Sequence, residues 1–133
     1  MQRTEKFALS EFLLEEKEEK YIGQIKVAFD VGDIEGLIKS RDNAENLIRR
    51  REKRITYKFI RAAKRAKINV YGKPIDIFEK ELLEKHQQLY ELLGRIDYDT
   101  PELIEQALEL EKSILQYVEV LVNELNKPKV AAA

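Results

Sequence analysis

The sequence predicts an all-α protein, a four-helix bundle with one long basic helix over about residues 34–68. Three observations lead to this fold class. Apolar residues recur at intervals of three or four along most of the chain, which is the spacing of one face of an α-helix. The chain has five glycines and three prolines, and most of them fall where these periodic stretches stop. No stretch alternates apolar and polar residues as a half-buried strand does.

The first predicted helix runs from about Thr4 to Phe29, and the turn "DVGD" at residues 30–33 follows it. Asp33 is the predicted N-cap of the second helix, because its carboxylate can accept a hydrogen bond from a free backbone N–H of the first turn. The residues of the first helix that we expect in the core are Phe7, Leu14, Tyr21, Ile22, Ile25, Ala28 and Phe29.

The second predicted helix runs without proline from Ile34 to Ile68 and ends in "NVYGKP" at residues 69–74. Glycine and proline in that segment cannot continue the helix. With a regular helical period, its apolar face consists of Leu37, Ala44, Ile48, Ile55, Phe59, Ala62 and Ala66.

The third predicted helix spans Asp76 to Leu93, and Gly94 suits the position that ends it. Its core face consists of Phe78 or Glu79, Leu82, Leu83, His86, Leu89, Tyr90 and Leu93. Thr100 as N-cap and Pro101 at the first helical position predict the start of a fourth helix, which runs to about Asn126. The core face of this fourth helix consists of Leu103, Ile104, Ala107, Leu108, Ile114, Leu115, Val118, Leu121, Val122 and Leu125.

Length and composition predict one helical domain over residues 1–130, and the terminal "AAA" at 131–133 resembles a cloning remnant. The chain has no cysteine, which excludes disulfides, thiol catalysis and thiolate metal sites. No apolar run approaches the roughly 20 residues that cross a bilayer, and the N-terminus lacks the apolar region of a signal peptide. We therefore expect a cytoplasmic protein without a membrane partner. Abundant lysine, glutamate and isoleucine favour a thermophilic source.

The charges are strongly segregated along the chain. Residues 49–73 contain eleven Lys or Arg and one acid, whereas the other 108 residues contain 13 basic and 24 acidic side chains. Within the second predicted helix, five cations recur at intervals of three or four and form one stripe. We call these residues the basic stripe: Arg50, Arg54, Lys58, Arg61 and Arg65. Tyr57 lies beside the stripe.

The basic stripe predicts an anionic ligand. Like charges at i,i+4 destabilise a helix, so a compensating anion is expected. At 1.5 Å per residue the stripe is about 22 Å long, which is enough to follow several backbone phosphates. The alternative is an acidic protein surface, either in a partner or in the chain's own segments "LLEEKEEK" (13–20) and "PELIEQALELEK" (101–112). The sequence leaves both open.

Arg51 stands apart from the stripe because it occupies the apolar face between Ile48 and Ile55. We expect it either at the edge of the bundle or at a partner interface, paired there with a carboxylate.

No catalytic or cofactor site is recognisable in the sequence. His86, the single histidine, falls on an apolar face and is expected in the core or at an interface. A Glu-x-x-His metal motif would need an acid where Leu83 stands. There is no phosphate-binding glycine loop and no nucleophile elbow. We expect a non-enzymatic protein without cofactor, metal or small-molecule substrate.

Residues 46–96 contain Arg51-Glu52-Lys53-Arg54-Ile55, the following Ala62 and Ala63, and then "FEKELLEKHQQLYELLGRI". This block resembles the helical domain of archaeal GINS subunits, which are structural partners of the replicative helicase. GINS subunits usually have a small β-rich domain, which has no counterpart in this sequence. Conversely, the fourth predicted helix of this sequence has no counterpart in the family. The resemblance implies a scaffold in DNA replication, with Arg51 and Arg54 bridging subunits.

A second resemblance leads to the alternative function. "AFDVGDIEGLIKSRDNAENLIRR" is similar to helices of FliT-type flagellar export chaperones, although the second helix is far more basic here. The sequence thus predicts a helical interaction or scaffold protein of a nucleic-acid-processing assembly, with a protein partner or a homo-oligomer. The alternative is a protein-binding adaptor without nucleic-acid contact.

Overall fold

The computed structural model describes residues 16–127, with side chains from residue 22 onward. It consists of helix α1 (Glu16–Asp30), helix α2 (Ile34–Arg54), a π-helical segment (Ile55–Ile60), helix α3 (Arg61–Ala66), the short strands β1 (Asn69–Val70) and β2 (Lys73–Pro74), helix α4 (Ile75–Arg95) and helix α5 (Pro101–Asn126). Helix α2, the π-helical segment and α3 are continuous, and we call residues 34–66 the long helix. Together with α1, α4 and α5 it forms an all-α four-helix bundle, as the sequence predicts.

The turn between α1 and the long helix is closed by backbone and side-chain hydrogen bonds. The N–H groups of Asp33 and Gly32 donate to the carbonyls of Ala28 (2.9 Å) and Phe29 (3.1 Å), a pattern that ends many helices at a glycine. Gly32 has a φ of +72°, which a glycine adopts without a steric cost. The Asp33 carboxylate accepts a hydrogen bond from the Gly36 N–H at 2.9 Å, which confirms the predicted N-cap.

The long helix contains a π-helical turn that the sequence analysis missed. The Arg61 N–H donates to the Thr56 carbonyl, five residues back, so the turn holds one residue more than an α-turn. The extra residue rotates every later side chain by about 100° relative to a regular helix. The predicted core positions Ala62 and Ala66 are therefore wrong, and Ile60 and Ala63 are buried in their place.

The long helix ends earlier than predicted, at Ala66. Lys67 adopts the left-handed conformation at its C-terminus, and the chain then forms a small antiparallel hairpin in which Val70 pairs with Lys73. Tyr71 and Gly72 connect the strands with φ values of 55° and 70°. Two positive φ values are typical of the tight turn whose twist matches a hairpin.

The last two helices follow the predictions with small shifts in their bounds, but the predicted core position Leu83 is wrong. Its side chain is 43% exposed, whereas that of its neighbour Leu82 is buried. Helix α4 begins at Ile75, and Gly94 lies inside it instead of ending it, since the helix continues to Arg95. Thr100 is the N-cap of α5 and Pro101 is its first residue, but the Thr100 side chain does not bond a helix N–H. Its hydroxyl accepts a hydrogen bond from the Asp97 N–H at 2.9 Å instead.

The core lies between the four helices. Helix α1 packs against α2 and α5, and α4 packs against α2 and α5. Ile22, Ile25 and Ala28 are buried as predicted. The predicted start at Thr4, the core positions Phe7 and Leu14, the side chain of Tyr21 and the segment 131–133 lie outside what the structure describes. No helix of the described chain has the length and apolar character that a bilayer span requires.

Candidate nucleic-acid interface

All five residues of the basic stripe lie on the surface of the long helix. Arg50 and Arg54 belong to α2, Lys58 belongs to the π-helical segment, and Arg61 and Arg65 belong to α3. Each of the five is exposed. The buried residues of the same helix, among them Ile48, Ile55 and Ala63, face the bundle. The five side chains are therefore exposed, but they do not form the single straight stripe that the sequence predicts. The π turn rotates Arg61 and Arg65 by about 100° relative to Arg50 and Arg54, so the stripe bends around the helix.

Several cations of the basic segment are neutralised by carboxylates of the described residues. Arg49 pairs with Glu45 (3.2 Å), Lys64 with Glu79 (2.8 Å) and Lys73 with Glu81 (2.6 Å). Arg51 pairs with Glu111. In the part of the chain that the structure describes, no carboxylate forms an ion pair with Arg50, Arg61 or Arg65.

The pairing of Lys64 shows how helix α4 neutralises one side of the segment. The ammonium also lies 3.8 Å from Asp76. The hydrogen bond and the charge of Glu79 raise the pKa of Lys64, so the lysine stays charged. The acids of α4 thus neutralise the cation of the long helix that points towards α4.

Tyr57 interrupts this basic surface with an aromatic ring. It is 66% exposed, and the Arg61 guanidinium carbon lies 5.7 Å from the centre of its ring. This separation is within the range of a cation–π interaction. The predicted anion-binding residues Tyr57 and Arg61 are thus neighbours on the exposed face.

Arg51 does not lie at a partner interface, and this prediction is corrected by the structure. Its side chain is completely buried, as is that of Glu111 in α5. Its guanidinium donates to both carboxylate oxygens, with a distance of 3.2 Å from Nη1 to Oε2. The carboxylate expected across an interface therefore belongs to the same chain, and the pair fastens α2 to α5.

Glu111 was missed by the sequence analysis, although a signal for it existed. It stands four residues after Ala107 and three before Ile114, both of which are fully buried. A carboxylate is expected at such a core position only if a cation meets it there. Arg51 on the apolar face of another helix is that cation, and the two anomalies explain each other.

His86 is a core residue, as predicted. It is fully buried, and its Nδ1–H donates to the Leu82 carbonyl at 2.8 Å. Burial lowers the pKa of His86 to about 4, and the nearby Arg51 charge acts in the same direction. The imidazole is therefore neutral at physiological pH. Among the described residues no group of three His, Asp or Glu side chains converges in a way that could hold a metal ion.

A half-buried polar cluster links α2 to α4 beside this histidine. The Tyr90 hydroxyl donates to the Glu52 carboxylate at 3.0 Å, and the Arg49 guanidinium lies 4.0 Å from the centre of the Tyr90 ring. Burial raises the pKa of Glu52, against the opposing effect of the Tyr90 hydrogen bond. Burial also raises the pKa of Tyr90. These groups satisfy one another, which indicates a structural role.

The chain matches no protein-family model, no curated protein and no solved structure. The resemblance of residues 46–96 to the GINS helical domain therefore stays a prediction.

Proposed function

We propose that the protein is a non-enzymatic helical scaffold of a nucleic-acid-processing assembly and that its basic stripe binds the phosphate backbone. The observation that carries this proposal is the division of the basic segment into two groups. Cations that point towards the bundle are paired with carboxylates of described residues. The stripe is exposed, and internal acids do not meet Arg50, Arg61 or Arg65 in the described structure.

The chemistry of the stripe suits phosphates. Four of its five members are arginines, whose planar guanidinium can donate two parallel hydrogen bonds to a phosphate. Consecutive members lie about 6 Å apart along the helix axis, since four residues rise by about 1.5 Å each. Cations at this spacing, on a path that the π turn bends around the helix, can contact successive phosphates of a curved backbone without reading base edges. We therefore expect binding that is largely independent of base sequence.

The proposal is tested by neutralising two stripe residues that make no ion pair in the described structure. The variant Arg50→Gln/Arg65→Gln is expected to bind a fluorescent mixed-sequence oligonucleotide about tenfold or more weakly than wild type at low salt. The matched control is Lys80→Gln/Lys112→Gln, which removes two exposed lysines of α4 and α5 and should bind as wild type does. Equal losses in both variants, or no binding by wild type, would overturn the proposal.

A protein-binding adaptor is the second candidate function. The observation that favours it is a group of exposed aliphatic side chains around the turn between α1 and α2. These are Val27, Val31, Ile34 and Ile38. Exposed apolar residues that cluster are typical of protein-binding surfaces. If the oligonucleotide fails to bind, the adaptor function becomes the favoured one.

A further inference from the structure

Tyr57 is exposed and, unlike the other exposed tyrosines of the described chain, its ring is not packed against another aromatic ring in the contacts that the structure gives. The tyrosines Tyr71 and Tyr98 are also exposed, but each packs its ring against another aromatic ring at 5.2 Å, namely Tyr117 and Phe29. The ring contact that the structure gives Tyr57 is with a cation, Arg61, on its own helix. Tyr57 thus adds little to the core. A solvent-facing aromatic side chain also has a lower helix propensity than the residues usually found at exposed positions.

The position of Tyr57 relates it to the stripe. It lies between Arg54 and Lys58 in sequence, inside the π-helical segment. Single π-helical turns within α-helices are frequently found at functional sites. The guanidinium of Arg61 lies near the ring, where it can hold the ring orientation and still reach a phosphate. The Tyr57 ring and the Arg61 guanidinium are therefore presented together on the exposed face of the helix.

We infer that the ligand of the stripe is an unpaired nucleic-acid strand, one base of which stacks on Tyr57. This inference rests on the proposed function and makes it more specific. Proteins that bind single strands without sequence preference combine a basic track for the backbone with aromatic rings on which bases stack. Stacking accepts any base, because every base has a π-face. In a duplex the base faces are covered by their neighbours, so Tyr57 has no stacking partner there.

A tryptophan in place of Tyr57 reports stacking directly. The chain has no tryptophan of its own, so the fluorescence of Tyr57→Trp comes from this position alone. Single-stranded oligonucleotide is expected to quench it, whereas inorganic polyphosphate at the same salt, which carries charge without bases, should not. The matched control is Tyr71→Trp, since Tyr71 is also exposed but lies outside the stripe. We expect no quenching of that variant.

Affinities separate stacking from simple charge attraction. Tyr57→Ala is expected to weaken binding of a single strand by about 5- to 100-fold and to leave duplex binding within about twofold. Tyr57→Phe, which keeps the ring, should bind a single strand as wild type does. These expectations concern Tyr57 alone, so they do not depend on how many stripe cations contact phosphates.

The outcomes distinguish this inference from the proposed function. Binding that depends on Arg50 and Arg65, but without quenching of Tyr57→Trp and without an effect of Tyr57→Ala, overturns the inference and leaves the proposed function standing. An equal loss of single-strand and duplex affinity in Tyr57→Ala also overturns it, because the ring would then act through the fold. If no binding depends on the stripe, both the proposed function and the inference are wrong.

Discussion

At the scale of single residues, the centre of the bundle contains two buried charges, and the free-energy cost of burying each one depends on the presence of the other. Arg51 and Glu111 are both fully buried, and each is far from water that could solvate it. Taking two charges out of water costs several kcal/mol per ion, and their attraction offsets this cost only while both are present. The pair therefore secures the register between α2 and α5 more than it raises stability.

Removal of one member of the pair should destabilise the fold strongly. In Glu111→Gln the buried Arg51 cation loses its two hydrogen bonds to the Glu111 carboxylate, and we expect a loss of about 3–5 kcal/mol in the free energy of unfolding. In Arg51→Met/Glu111→Leu no buried charge remains, and the stability should be close to that of wild type. Urea denaturation measures both. A single variant as stable as wild type would show that Arg51 is not held mainly by Glu111.

His86 should make stability depend on pH. Its pKa is about 4 in the folded protein and 6.5 in the unfolded chain, so the unfolded state binds more protons between these values. Stability is therefore fully present above pH 6.5 and decreases as the pH falls towards 4, at about 1.4 kcal/mol per pH unit at most. The total is of the order of 3 kcal/mol.

The measurement is the unfolding free energy of the protein with His86 and of His86→Leu between pH 7.5 and 4.5. Glu52, whose pKa is raised by burial, contributes in the opposite direction and at the acid end of the range. Because Glu52 Oε2 lies 3.7 Å from His86 Nδ1, both proteins carry Glu52→Gln, and the difference between the two curves then isolates His86. As the pH falls, the unfolding free energy of the protein with His86 should decrease relative to that of His86→Leu. Parallel curves would contradict a buried neutral histidine.

At the scale of elements, the π-helical segment allows the long helix to bury the apolar residues before it and those after it on the same side. The residues before it bury Ala44, Ile48 and Ile55, and those after it bury Ile60 and Ala63. A regular helix could not bury both sets on one face, because Ile55 and Ile60 are five residues apart and would differ by about 140° in direction. The additional residue in the π turn brings them onto one face.

Deleting Tyr57 is consequently expected to cost little stability. The deletion removes the additional residue, so that the π turn becomes an α-turn while Ile60 and Ala63 keep their direction. We expect a change of about 1 kcal/mol or less in the free energy of unfolding. Deleting the exposed residue Asn43 is the control, since it rotates Ala44, Ile48 and Ile55 away from the core and should unfold the protein. Circular dichroism during thermal unfolding compares the two, and equal destabilisation would contradict this account.

The same segment shows what could be predicted from the sequence. The apolar face up to Ile55, the N-cap Asp33 and the core position of His86 follow from residue types and their spacing, and all three are confirmed. Ala62 and Ala66 were wrong because helical periodicity assumes a constant rotation per residue, which a π turn changes. To predict the Arg51–Glu111 pair, one must know how α2 and α5 pack against each other. The two residues are 60 positions apart in the sequence, so no local pattern contains this information.

At the scale of the whole molecule, the charges are divided between two ends of the long helix. The stripe occupies its second half. At its start, the acidic turn at 30–33 lies beside the acidic loop at 96–100, since Phe29 and Tyr98 are in contact at 5.2 Å and Arg41 donates to the Ile96 carbonyl at 3.1 Å. Such a division orients a protein as it approaches a polyanion, with the basic end first.

The salt dependence of binding to a single-stranded oligonucleotide tests the central claim most directly. Each phosphate contact contributes about −0.7 to the slope of log Kobs against log salt concentration for a single strand. If the stripe follows the backbone, the slope for wild type should lie between about −2, for contacts by Arg50, Arg61 and Arg65, and about −3.5, for contacts by all five residues. It should become less steep by about 1.4 in Arg50→Gln/Arg65→Gln. A slope near zero, or one that is identical in the two proteins, would mean that the stripe does not bind phosphates.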